Sequence, residues 1–249
     1  MMLFQPPPPT RYDLSFSLAG IPVRVHPLFW LIALLLGSSS RDLSQILIWI
    51  LVVFVSILAH ELGHALAMRR FGQQSRIVLH AMGGLTIPES TPWGSGWANV
   101  SRTSNQEIFI SLAGPFAGFL FAGLVVAGVQ LSGGEVITGR LLGLIPLPSG
   151  AILPFGGRVL GVLVTMLLWV NIRWGLFNLL PIYPLDGGNV ARNLLLKLDP
   201  WDGVRKSLWI SVVTGALIAV AGLFQLNLFI ALLFGFLAFQ SYQSLQSRF

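Results

Sequence analysis

The sequence predicts an all-α polytopic membrane protein of about six transmembrane helices, with a small membrane-associated β-hairpin and strand region, all in one embedded domain, 1–249. Three observations carry that expectation. Hydrophobic residues fill 54% of the 249 positions and charged residues only 10%, where an ordinary soluble domain carries roughly a quarter charged. Mean hydropathy is +0.77. The apolar residues are gathered into runs long enough to cross about 30 Å of hydrocarbon. So few charges cannot cover a soluble globule, and so much apolar surface excludes disorder. With no cysteine, disulfides, thiolate metal sites and cysteine nucleophiles are excluded, so any metal must be held by His, Asp or Glu.

Taken in order, residues 1–19 read as a flexible Pro-rich arm, because Pro6 to Pro9 stand where the apolar core of a cleavable leader would be needed. Gly20 to His26 (GIPVRVH) alternates apolar and polar residues and reads as a short strand. Segment one, Pro27 to Leu36 with a possible extension through Ser40, is the weakest span. Segment two runs Ile46 to Met68, segment three Ile108 to Leu131 and segment four Val159 to Leu180. Segments five and six, Leu208 to Phe224 and Leu228 to Tyr242, share so short a turn that they form a helical hairpin. Gly114-Pro-Phe-Ala-Gly118 gives segment three a small-xxx-small face for close helix contact. Arg76 to Ile87 reads as a β-hairpin turning at Gly83-Gly84, too apolar for a solvated loop. No internal repeat is visible.

The basic residues flank these segments and form no patch with interleaved aromatics, which points to membrane topology and away from nucleic acid. Eleven fall on one side: Arg11, Arg24, Arg69, Arg70, Arg76, Arg102, Arg192, Lys197, Arg205, Lys206 and Arg248. Only Arg41, Arg140 and Arg158 fall on the other, and Arg173 lies inside segment four. The positive-inside rule then places both termini of a six-span chain in the cytoplasm, with the cell membrane as the expected location.

Within segment two stands His60-Glu61-Leu62-Gly63-His64, an H-E-x-x-H motif on a helix. At 100° per residue the two histidines are about 40° apart and one turn removed, so both imidazoles can reach one ion. Glu61 sits beside them, placed to take a proton from water rather than to ligate. Chance would supply this pattern in a chain of such length with a probability on the order of 1%. Inside a spanning helix the odds fall further, since an ionisable group near the bilayer centre costs roughly 2.5 kcal/mol or more.

A tetrahedral site needs a third protein ligand and leaves the fourth position open. Apart from Glu61, only Asp186 among the nine acids lies just past a spanning segment in a Gly/Pro-interrupted stretch, Asn178 to Gly188. Broken backbone at that depth is tolerated where it lines a cavity in the protein. The competing reading is a cap for a helix starting near Asn189. Segment two runs outward to inward, which sets His60 and His64 roughly 10 Å short of its cytoplasmic end. Segment four ends on the same side, which brings Asp186 to a similar depth; Glu89 and Glu107 stand next as ligands.

HELGH in the second span and NLLPIYPLDGG after the fourth, with GIPVRVHP before segment one and AGP in segment three, resemble the site-2 protease family of intramembrane zinc metalloproteases. The similarity runs from about Gly20 to Gly188 and implies a compact member, since nothing in the sequence reads as a PDZ or CBS region. It implies that His60, His64 and Asp186 bind one Zn(2+) ion, that Glu61 is the catalytic base, and that Asn178 assists substrate or transition-state binding. Asn171, seven residues before Asn178 and on the same helix face, is either a further substrate-facing group or an interhelical hydrogen bonder.

Arg173 is expected to snorkel or pair with backbone carbonyls, and His26 and His80 to be structural. The expected function is zinc-dependent endoproteolysis of transmembrane segments of other membrane proteins, with the lipid bilayer as medium, no nucleic-acid partner, and no regulatory partner legible. A non-proteolytic membrane scaffold of the same fold and a metal or ion transporter are the alternatives. Reporter domains fused after Arg70 and after Phe249 are both expected to read cytoplasm; opposite readings would mean that a span has been miscounted.

Overall fold

The computed structural model describes residues 6–37, 42–89, 102–141 and 145–248. Residues 1–5 of the arm, the extension of segment one to Ser40, and Arg41 lie outside the described residues. Among the described residues, five helices are long and apolar enough to cross a membrane. They are α2 (Leu43–Arg70), α3 (Ser104–Leu131), α4 (Gly157–Asn178), α6 (Gly203–Phe224) and α7 (Leu228–Arg248). The remaining expected span, segment one, is α1 (Pro27–Gly37), whose 11 residues reach only about 16 Å at 1.5 Å each. The count of about six is therefore five full-length helices and one short one. A shorter amphipathic helix, α5 (Asp186–Leu198), lies between α4 and α6.

The chain forms two compact units, one of Met2–Gly96 with Ala113–Leu176, the other mainly Trp97–Leu112 with Phe177–Phe249. In the first, a four-stranded sheet has the order β1-β2-β3-β4, with β1 Leu14–Leu18, β2 Ile21–Val25, β3 Ser75–His80 and β4 Gly83–Pro88. β1 lies inside the stretch expected to be a flexible arm. It pairs antiparallel with β2 through Ala19 and Gly20, both at positive φ, the geometry that matches the twist of a tight hairpin. Arg69 donates to the carbonyl of Ala19 at 2.8 Å and ties that turn to the end of α2.

β2 and β3 pair in parallel, Val23 opposite Ile77, which requires a crossover; α1 and α2 supply it. Alternation then does the sorting: Ile21, Val23 and Val25 are buried while Pro22 is exposed. They join Ile77 and Leu79 of β3 in a core closed by Phe29 and Ala33 of α1 and by Val53, Ile57, Leu58 and Ala65 of α2. Asp42 caps α2, accepting from the Ser44 N–H at 2.9 Å, and Arg69 and Arg70 stand in its last turn, where cations offset the helix dipole.

A second hairpin, β5 (Glu135–Leu141) with β6 (Ile145–Ile152), has no counterpart in the sequence-based expectation. It contributes Ala151 to a core with Ala122 and Val129 of α3 and Val164, Leu168 and Ile172 of α4. Small residues set the α2–α3 approach. A Cβ at Gly63 would stand 2.7 Å from Ala117 Cβ and closer still to the Ala113 carbonyl, so only glycine permits the contact.

In the second unit, α6 and α7 form the expected helical hairpin, with a Cβ at Gly215 only 3.0 Å from that of Ala238. The segment between α4 and α5 is pinned from these helices by two fully buried serines. Ser211 Oγ accepts from the Tyr183 N–H at 3.0 Å, and Ser241 Oγ donates to the Tyr183 carbonyl at 3.3 Å. The Tyr183–Pro184 peptide is cis. A Cβ on Gly187 or Gly188 would collide with backbone atoms of residues 179–183. That accounts for the glycine pair at the start of α5.

Candidate metal centre

Nothing in α2 breaks its helix: the run from Leu43 has no proline, and its one interior glycine, Gly63, faces α3. His60 and His64 therefore stand one turn apart on one face, and their Nε2 atoms lie 3.2 Å from each other. Two imidazole nitrogens held at 2.0–2.1 Å by one tetrahedral ion would be about 3.3 Å apart, so the pair is spaced for a shared ion. The rings are steeply inclined, 80° between planes. His60, Glu61 and His64 are 5%, 6% and 9% exposed.

The space in front of the rings is kept by glycine. A Cβ on Gly114 of α3 would sit 2.8 Å from His60 Nε2 and overlap the His64 ring. Of the two glycines expected to form a helix-contact face, Gly118 does face α4, at Asn171, but Gly114 makes room for imidazoles. On the other side of α2, β4 covers Glu61. A Cβ on Gly84 would lie 2.5 Å from Glu61 Oε1, and Thr86 Oγ1 lies 2.7 Å from Glu61 Oε2. The hairpin turn is consequently at Ala81-Met82, with Gly83 and Gly84 inside β4, not at Gly83-Gly84 as expected. Gly84 serves close approach while Gly83 takes a φ of +115°, and neither this nor Thr86 is legible without the strand register.

Within the first unit, the described residues set His60 and His64 side by side as a pair spaced for one ion; Asp186, the third ligand expected from the sequence, belongs to the second unit. Two buried imidazoles, with glycine in place of any competing side chain, make a donor pair that fits a divalent ion. Asp186 is the first residue of α5, whose N-cap is Leu185 without a side-chain cap bond. The helix thus begins at Asp186 and not near Asn189.

The other acids are engaged elsewhere or exposed. Asp13 pairs with Arg24 and Glu107 with Arg102, while Glu89 and Glu135 are exposed. Asp199 accepts from Lys206 at 2.6 Å, and that hydrogen bond holds its carboxyl below the ordinary value. Of the next ligands in the sequence-based expectation, Glu89 is thus exposed and Glu107 is paired with Arg102.

Asn178 is the last residue of α4 and half-buried. Asn171 is 3% exposed and donates to Ser56 Oγ of α2 and to the Leu167 carbonyl, both at 2.9 Å. Of its two readings, those contacts match interhelical hydrogen bonding. Arg173 places its guanidinium over the Trp169 ring, 5.0 Å from the centroid, an aromatic partner that the sequence-based expectation did not name. His26 and His80 are buried in the sheet region, each accepting at Nδ1 from a backbone N–H two residues on. Burial, with the charges of His26 and Arg24 nearby, lowers the pKa of His80. Both behave as structural residues.

The profile of peptidase family M50 matches residues 48–143, the stretch that carries α2 with its histidine pair and all of β3, β4 and α3. The protein sll0528 of Synechocystis sp. is 31% identical over 199 residues, 73% of this chain and 44% of that protein. Residues 48–143 of the chain are thus similar to peptidase family M50. Another relative in keeping with this is zinc metalloprotease MJ0392 of Methanocaldococcus jannaschii, 26% identical over 92% of the chain and 59% of its own length. The chain thus spans about half the length of these relatives. A solved site-2 protease from M. jannaschii shares the fold, with a TM-score of 0.57 at 22% identity over 94% of this chain and 95% of that one. With its membrane-length apolar helices and this fold, the chain is a multi-pass integral membrane protein.

The Gly114 contact generates a test that leaves every ligand in place. Gly114→Ala is expected to lower the affinity of the purified protein for a divalent ion by at least roughly tenfold, the size usual for disturbing the shell around ligands. Gly123→Ala on the same helix, where a Cβ meets open space, should leave it unchanged. Metal analysis after mild chelation distinguishes the two.

Proposed function

We propose that this chain is a zinc-dependent endopeptidase that hydrolyses peptide bonds within or beside the transmembrane segments of other membrane proteins. One observation carries that function above the rest: a histidine pair spaced for a shared ion, with a buried carboxylate beside it, on a helix apolar enough to span a membrane. The name of the relative MJ0392, a zinc metalloprotease, supports the choice of metal and reaction. A scaffold has no use for a desolvated carboxylate next to two imidazoles, and a transport path would need ionisable groups spread along the membrane, whereas these fall within five residues.

His60, His64 and Asp186 would hold one Zn(2+), leaving a coordination position open. When bound, the ion supplies Lewis-acid polarisation of a carbonyl and makes water a better nucleophile at neutral pH. Glu61 takes a proton from the attacking water and delivers it to the departing amide nitrogen, so that the C–N bond breaks without expelling an amide anion. Asn178 assists by hydrogen bonding to the substrate or transition state.

A helical substrate hides its peptide bonds in its own hydrogen bonds, so it must be drawn out before cleavage. β4 ends the sheet order, and an edge strand can pair with an extended segment by strand addition. Both termini would face the cytoplasm of a cell membrane, as the distribution of basic residues suggests.

Two variants test the chemistry. Glu61→Gln is expected to retain stoichiometric zinc yet lose at least about 100-fold in cleavage of a model transmembrane substrate, the usual worth of a general base. Asp186→Ala should lose zinc to mild chelation, while Asp199→Ala should not. Wild-type cleavage by the first variant, or wild-type zinc affinity in the second, would refute the respective assignments.

A further inference from the structure

What holds the Glu61 carboxylate comes from β4 and not from its own helix. Glycine and threonine two apart on a strand present the same face, and Gly84 and Thr86 both meet the Glu61 side chain. Their roles divide between its two oxygens. Gly84 leaves bare backbone against Oε1 and the Cγ–Cδ stem, where any side chain would collide. Thr86 Oγ1 lies 2.7 Å from Oε2, a length usual for a hydroxyl donating to a carboxylate. The same hydroxyl stands 3.1 Å from the Glu61 backbone carbonyl. With one proton to give and a shorter path to Oε2, it binds the side chain and is anchored beside the residue's own main chain.

We propose that Thr86 is a positioning residue for the base: it fixes the Glu61 carboxylate by one oxygen so that the other is presented for proton transfer. This rests on the peptidase function proposed above and deepens it. Three physical points carry the proposal. A glutamate has three side-chain torsions, and free rotation about the last would swing its oxygens away from the reacting water, so orientation is worth a large part of the rate. At 6% exposure water is largely excluded from making the missing hydrogen bond. Finally, Thr86 lies in the proposed substrate-pairing strand, so a substrate added to β4 would settle the same backbone that holds the base.

The test uses the whole protein with zinc bound and a model transmembrane substrate. Thr86→Val keeps the β-branch and the volume but removes the donor. It is expected to lower kcat roughly 10- to 100-fold, as removal of an orienting group beside a metal site does, with KM, bound zinc and melting temperature unchanged. Thr86→Ser restores the hydroxyl and should recover kcat to within about threefold. The Glu61 carboxylate band, identified in the infrared difference between wild type and Glu61→Gln, should shift in Thr86→Val and return in Thr86→Ser.

A Thr86→Val protein with wild-type kcat and an unmoved band overturns the proposal. So does one that loses zinc or melting temperature in step with kcat, since that marks a packing role. If Thr86→Val does not fold, Thr86→Ala removes the donor without adding bulk and is judged by the same measurements. A wild-type protein that holds no zinc and cleaves nothing refutes the peptidase reading instead, and the infrared comparison still decides whether Thr86 holds Glu61.

Discussion

Three ionisable side chains within five residues of an apolar, membrane-length helix are the constraint around which the first unit is built. Each must be satisfied without bulk water, because an unpartnered polar group in such a setting costs kilocalories. The answer is close approach of backbone on both sides of α2. Gly114 of α3 opens space before the imidazoles, and Gly84 of β4 lets a strand lie against Glu61 while Thr86 supplies a hydrogen bond. Gly63 brings α3 near enough for this to happen. Glycine is costly inside a helix or strand, so its presence at each of these contacts reflects a steric need and not a preference of the element.

The segment before α5 meets a comparable demand in the second unit. Between Asn178 and Asp186 the chain leaves helix, and its exposed peptide groups need partners. Ser211 and Ser241, on helices otherwise rich in apolar residues, provide them to Tyr183 on either side of its peptide unit. Gly187 and Gly188 allow α5 to start directly against that irregular backbone. The stretch is therefore a tightly packed turn, and Asp186 enters α5 from a defined direction.

Where expectation and structure part, the cause is packing. The strands β5 and β6 are hard to read from sequence because Pro146 and Pro148 interrupt one of them, and proline normally argues against a strand. Here the pair is a two-stranded hairpin, so the prolines occupy an edge and remove no bond from a third strand. Gly83-Gly84 looks like a turn because glycine pairs usually are one; both lie inside β4, where Gly84 allows the approach to Glu61. Part of the Pro-rich arm is held as β1 because β2 needs a partner on its outer side.

The amino-acid sequence alone determined the membrane-spanning architecture and the helix that carries His60, Glu61 and His64, and it singled out Asp186 as the candidate further ligand. Each follows from local information: run length, a spacing of four on a helix, and one acid in a stretch broken by proline and glycine. Tertiary structure decided what surrounds those residues. That Gly114 clears the imidazoles, that Thr86 rather than a residue of α2 holds Glu61, and that Asn171 bonds to Ser56 all depend on contacts between elements distant in sequence. Periodicity shows which face of an element is apolar, but not which residue of another element comes to meet it, because register and approach are set by packing of the whole core.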